Sequence, residues 1–145
     1  MFGIRGFMLT LFLSAGMAYA LAVDSGSPDD QLGAATGGQF TKILVWRTES
    51  HLIRVDVTGD SDYRLAMWSS DGHRPVPDMV IAGGTVNFDG TGGNYYYQFE
   101  GSGVTYRCYV VMLGTAESPP GYFTVLNARK EILREPVLEV LSSLD

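Results

Sequence analysis

Few side chains in this 145-residue chain have the chemistry to catalyse anything. The most suggestive group is Ser69-Ser70-Asp71-Gly72-His73, from which a Ser/His/Asp arrangement can be composed on paper. Such a triad is defined by three-dimensional placement, and no Gly-x-Ser-x-Gly elbow accompanies it. Followed by Pro75 and Pro77, the same residues read more simply as a loop. Asp71 and His73 are therefore kept as the acid–base pair of an alternative, a small secreted hydrolase. Calcium chemistry would draw on Asp56, Asp60 and Asp62 in DVTGDSD, with Asp71, Asp78 and Asp89 in other loops. The remaining ligands of a calcium loop are missing, and Asp is favoured in turns for its local hydrogen bonds. His51, His73 and Cys108 form no closely spaced pair for zinc. No metal and no cofactor is expected. The glycine-rich runs Asp89–Gly93 and Gly101–Gly103 are each followed by a strand-like stretch instead of a helix, so they read as hairpin turns, not phosphate cradles.

Aromatic side chains are the better-supplied chemistry. Trp46, Trp68, Tyr95, Tyr96, Tyr97, Tyr106, Tyr109 and Tyr122 lie in apolar runs with a period of two. In Gly92–Leu113, Tyr95, Tyr97 and Phe99 alternate with Tyr96, Gln98 and Glu100. Val104, Tyr106, Cys108 and Val110 alternate with Thr105, Arg107, Tyr109 and Val111. Every second side chain of a strand shares a face. The pattern predicts a hairpin whose first set is core, with Cys108 a buried and inert thiol. Tyr96 and Tyr109 then point outward. Exposed rings can stack on sugars or anchor a protein interface. Trp68, Tyr96 and Tyr109, with the Ser70–Pro77 loop, are the candidate binding residues. The competing reading is a second layer of structure covering that face.

The elements that would position these residues are strands. Turn signals recur about every 8–12 residues, the rhythm of an antiparallel sandwich or barrel. Strands are expected over Phe40–Arg47, His51–Thr58 and Tyr63–Ser69, the second with Arg54 and Asp56 on a wet face. Asp78–Ala82 is a short strand broken at Gly83-Gly84, and pairing resumes over Thr85–Phe88. Tyr122–Leu126 and Glu131–Leu133 make a hairpin around Asn127–Lys130. Beyond it, Val137, Val140, Leu141 and Leu144 fit helical spacing, while a last strand through Val137–Val140 fits nearly as well. The fold class is all-β: a single antiparallel β-sandwich or barrel of about eight strands, with a possible short C-terminal helix.

The first 39 residues stand apart from that domain. Arg5, the apolar run Phe7–Gly16 and the small residues Ala18 and Ala20 have the form of a signal peptide cleaved after Ala20, with Ala22 nearly as good a site. Residues 21–39 are poor in apolar side chains and are expected to be a flexible leader, with the β domain at 40–145. The alternative is a retained anchor, since Gly6–Val23 is uncharged and at the short limit for a span. Loss of Arg5 leaves nine basic against sixteen acidic residues, a charge of −7. That balance repels phosphate backbones and argues against nucleic acid as a partner. Export without a disulfide leaves stability to the hydrophobic core.

Four segments, YRLAMW (Tyr63–Trp68), DMVIAGG (Asp78–Gly84), DGTGGNYYYQFEGSGVTY (Asp89–Tyr106) and GYFTVLNARKEIL (Gly121–Leu133), resemble a type of small exported bacterial β-sheet protein of no assigned activity. The resemblance covers roughly half of the domain, implies export and a β-sheet fold, and transfers no catalytic residue. Size and the Tyr-rich strand are also similar to those of periplasmic lysozyme inhibitors, which are small β-barrels, although the paired cysteines common there are absent. The expected function is that of an exported, periplasmic or extracellular, non-enzymatic binding module. Its partner would be a protein or carbohydrate of the cell envelope, with a membrane role only if the N-terminal segment is retained. The alternatives are the Asp71/His73 hydrolase and a purely structural envelope protein.

Overall fold

Apolar and polar side chains alternate along most of the domain, and its backbone is correspondingly extended. The computed structural model describes residues 40–59, 61–69 and 75–143. The expected signal peptide, the leader, Asp71 and His73 lie outside them. The strands are β1 (Phe40–Arg47), β2 (His51–Thr58), β3 (Asp62–Ser69), β4 (Met79–Asp89), β5 (Asn94–Gly101), β6 (Val104–Val110), β7 (Gly121–Asn127), β8 (Lys130–Pro136) and β9 (Glu139–Ser143). All pairings are antiparallel and form one curled sheet, a half-barrel, in the order β8-β7-β6-β5-β4-β3-β2-β1-β9.

The inner face holds the core. Ile53, Val55, Leu65, Phe99, Cys108 and Phe123 are fully buried there and belong to one cluster. Burying side chains of this size contributes about 1.5–3 kcal/mol each. The hairpin β5–β6 supplies the middle of that face. Tyr97 lies opposite Cys108 and Phe99 opposite Tyr106, and across the next pair Cys108 meets Phe123. Its turn is Ser102-Gly103, with φ of 56° and 77°, the two positive values that a two-residue turn matched to strand twist requires. Burial drives the Cys108 thiol far above its ordinary pKa, so it stays neutral and unreactive.

Two expectations are corrected at the level of elements. Gly83-Gly84 does not end a strand: β4 runs unbroken through both, pairing first with β3 and then with β5. The register slips there, Gly83 takes φ 75°, and the strand bends from one half of the sheet into the other. The C-terminal helix is absent; Glu139–Ser143 is a ninth strand paired with β1. Helical spacing in so short a segment is a weak local preference, and the open edge of β1 offers it a ladder of hydrogen bonds instead.

The third correction concerns β2 and β3. Arg54 and Asp56, expected to be wet, are buried on the outer face together with Arg64. Arg54 Nε donates to Asp56 Oδ1 at 2.6 Å and Arg64 Nη2 to Oδ2 at 2.8 Å. The Phe40 ring lies 3.3 Å from the Arg64 guanidinium carbon. Charge in these positions is tolerated because each carboxylate oxygen is matched by a guanidinium.

Strands β8 and β9 occupy opposite ends of the strand order, yet only Val137 and Leu138 separate them. Val137 N–H donates to Gly121 O of β7, and Leu138 N–H donates to Arg47 O of β1. Both sheet ends therefore meet at this point. A polar cluster ties the same corner. Glu135 Oε2 accepts from Thr48 Oγ1 at 2.6 Å and lies 3.0 Å from His51 Nδ1.

Candidate functional site

The outer face of β4–β8 gathers accessible polar and aromatic groups in one groove. Strand register arranges them in rows across the sheet. One row runs Asn87, Tyr96, Tyr109, Tyr122 and Pro136; the next runs Thr85, Gln98, Arg107, Thr124 and Arg134. Alternation puts both rows on the face opposite the core. Tyr96 and Tyr109 have ring planes 13° apart and centroids 6.1 Å apart. Each arginine lies diagonally on a tyrosine of the neighbouring row. The Arg107 guanidinium is 4.9 Å from the Tyr96 centroid and that of Arg134 is 4.2 Å from the Tyr122 centroid. Between the rows and their margins is a solvent-open groove of about 430 Å³, which also takes in Asp89 and Glu131.

Local hydrogen bonds fix several of these groups. Arg107 Nε donates to Gln98 Oε1 at 2.9 Å. Tyr109 donates its hydroxyl to Asp89 Oδ2, and that bond, reinforced by burial and the Asp89 charge, raises the phenol above its ordinary pKa. Tyr109 is therefore a protonated donor at neutral pH and not a base. Arg134 Nη1 is 3.8 Å from Glu131 Oε2, with both side chains about half exposed, a pair worth little in water.

Trp68 is not part of this groove. It is 3% exposed, packed with Ala66 and Leu52 on the outer face of β2–β3, and paired across the sheet with Leu52. Tyr96 and Tyr109 come together; Trp68 lies elsewhere. Asp71 and His73 are outside the described residues. His51 meets Glu135 and packs edge-on against Phe123, with ring centroids 5.4 Å apart. Its carboxylate partner also holds Thr48 Oγ1, so Thr48 is directed at the acid and not at an imidazole nitrogen, which is unlike a nucleophile–base pair. Among the described residues no three His, Cys, Asp or Glu side chains converge as metal ligands.

A second concavity, about 260 Å³, opens on the inner face between Ile43, Trp46, Tyr95, Val110, Pro120 and Val140. It is mainly apolar and continuous with the core. The Tyr97 hydroxyl in its lining has its pKa driven well up by burial and by Tyr95 beside it, so it offers no charge to a ligand.

Arg107, Tyr122 and Arg134 are not among the binding residues expected from sequence, and Asp89 figures there only as a calcium ligand. Alternation alone puts Arg107 on the face of Tyr109. Placing Tyr122 beside them needs the β6–β7 register, and Arg134 reaches its row only because β8 slips by a residue opposite Val125/Leu126. Compared with protein-family models, with curated proteins and with solved structures, the chain matches none.

Proposed function

We propose that this chain is an exported, non-enzymatic binding module that holds a carbohydrate chain of the cell envelope in the outer groove of β4–β8. The observation that carries the reading is the pair of near-parallel rings Tyr96 and Tyr109, set beside Arg107 in an open groove. Aromatic faces stack on the apolar faces of sugar rings, and planar polar side chains bond their hydroxyls. The form of the N-terminal segment supports export. The two-residue passage from β8 to β9 favours a barrel over a sandwich as the support for the face.

Hydrolysis of the bound chain is not part of the proposal. A glycosidase places two carboxyl groups no more than about 9.5 Å apart. The two carboxylates of this groove come from strands four apart in the sheet order, Asp89 on β4 and Glu131 on β8, and that of Asp89 already accepts the Tyr109 hydroxyl. The test is the double variant Tyr96→Ser/Tyr109→Ser. Both rings are partly exposed, so its melting temperature should stay within a few degrees of wild type, while retention on immobilised envelope polysaccharide is lost. A variant that binds as wild type does, or a wild-type protein retained by no glycan, would refute the reading.

A further inference from the structure

Resting on that reading, we propose that the sugar chain carries carboxylates and that Arg107 is the residue that recognises them. Two contacts set the plane of this guanidinium: the Tyr96 ring beneath it and the Gln98 acceptor on Nε. Its terminal nitrogens donate to no described residue. What remains available is one edge of a flat donor fork, lying over an aromatic ring. A carboxylate meets such an edge in the same plane through two parallel hydrogen bonds, and the sugar bearing it is then carried toward the Tyr96–Tyr109 rings. Holding the fork in place beforehand removes part of the entropy cost of binding.

Charge placement points the same way. The chain as a whole is acidic, but the centre of the groove holds Arg107, and the same cross-strand row ends beyond Thr124 in a second cation, Arg134 on β8. The acids sit at the margins. Asp89, paired across the sheet with Asn94, is one position beyond the tyrosine row, and its carboxylate receives the Tyr109 hydroxyl. Glu131, opposite Leu126, flanks the arginine row on the other side. A glycan lying along the rows thus meets Arg107 at the middle of the face and Arg134 at its β8 end. Arg134, already near Glu131, is the secondary contact.

Carboxylates of this kind occur on uronic acids and on the lactyl ether of peptidoglycan sugars, so both are tested. Calorimetric titration would compare polygalacturonate and peptide-free peptidoglycan strands, each against its methyl ester, with dextran sulfate as a further oxyanion. At least one carboxylated polymer should bind about ten-fold or more tighter than its ester, and the polymer that does so identifies the source. Arg107→Gln should bind acid and ester alike. Arg107→Lys, which keeps the charge but not the fork, should recover little of the preference. Equal binding of acid and ester by wild type, an undiminished preference in Arg107→Gln, or equal binding of dextran sulfate would overturn the inference and leave carbohydrate binding standing. No binding of any polymer or ester would overturn both.

Discussion

At the scale of single residues, the sharpest contrast is between two sets of charged side chains on the same outer face. Arg54, Asp56 and Arg64 are almost completely buried, whereas Arg107 and Arg134 remain in contact with water. Alternation in β2 correctly separates Arg54 and Asp56 from Ile53, Val55 and Val57, but it cannot distinguish a wet face from a covered one. The pairing that makes burial tolerable, Asp56 opposite Arg64, depends on the β2–β3 register and so is absent from either strand alone. Removing the acid leaves two guanidinium groups facing one another without their shared acceptor. Asp56→Ala should therefore destabilise the fold by about 3–5 kcal/mol in urea unfolding. Asp56→Asn, which retains one acceptor, should cost less. The outer face of β4–β8 was partly legible for the opposite reason. Tyr96, Arg107 and Tyr109 belong to a hairpin so regular that parity alone assigns their side, while Tyr122 and Arg134 enter through register. Trp68 shows the limit of parity: it shares the outward side and is nonetheless buried.

At the scale of elements, β4 shows how a pair of glycines can look like an interruption and act as a bend. The close approach explains the residue type. A Cβ on Gly84 would overlap the Phe99 ring, and Phe99 is itself fully buried. Gly84→Ala should cost about 1–3 kcal/mol, the usual penalty for overpacking a core, read as a fall in the thermal midpoint. A neutral outcome would show that Phe99 can yield. Periodicity identified most of the other strands because each has one apolar side, and the positive-φ turn of β5–β6 matched its glycine. It left the last strand undecided because Val137–Leu144 satisfies both a helical and an extended pattern. The choice between them rests on β1, almost a hundred residues earlier in the chain. No local window contains that information.

At the scale of the whole molecule, the fold depends on the corner where β8 becomes β9. Glu135 is buried there, yet the hydrogen bonds from Thr48, His51 and Ser50 outweigh that burial and hold its carboxyl below its ordinary pKa of 4.5. A group whose folded pKa is depressed stabilises the protein above its unfolded value and loses that contribution as acid protonates it. Wild-type stability should thus fall as pH drops below about 4.5. Glu135→Gln should be less stable than wild type at neutral pH, and the gap should narrow on acidification. Chemical denaturation at several pH values would reveal a constant gap if the carboxylate charge were irrelevant. All-β class and antiparallel pairing were readable from turn spacing, but the curl was not, since it arises from where strand ends meet. That meeting also sets an order of events. Arg47 and Glu139 pair across 92 positions of chain, so the entropy of closing the longest loop must be met before β9 can dock. Every other pairing in the sheet joins consecutive strands and can form from neighbours, but the β1–β9 pairing waits for the ninth strand. Until then β1 presents an open row of backbone donors and acceptors, the form in which strands join other chains. Two incomplete copies held close together could exchange last strands, each completing the other.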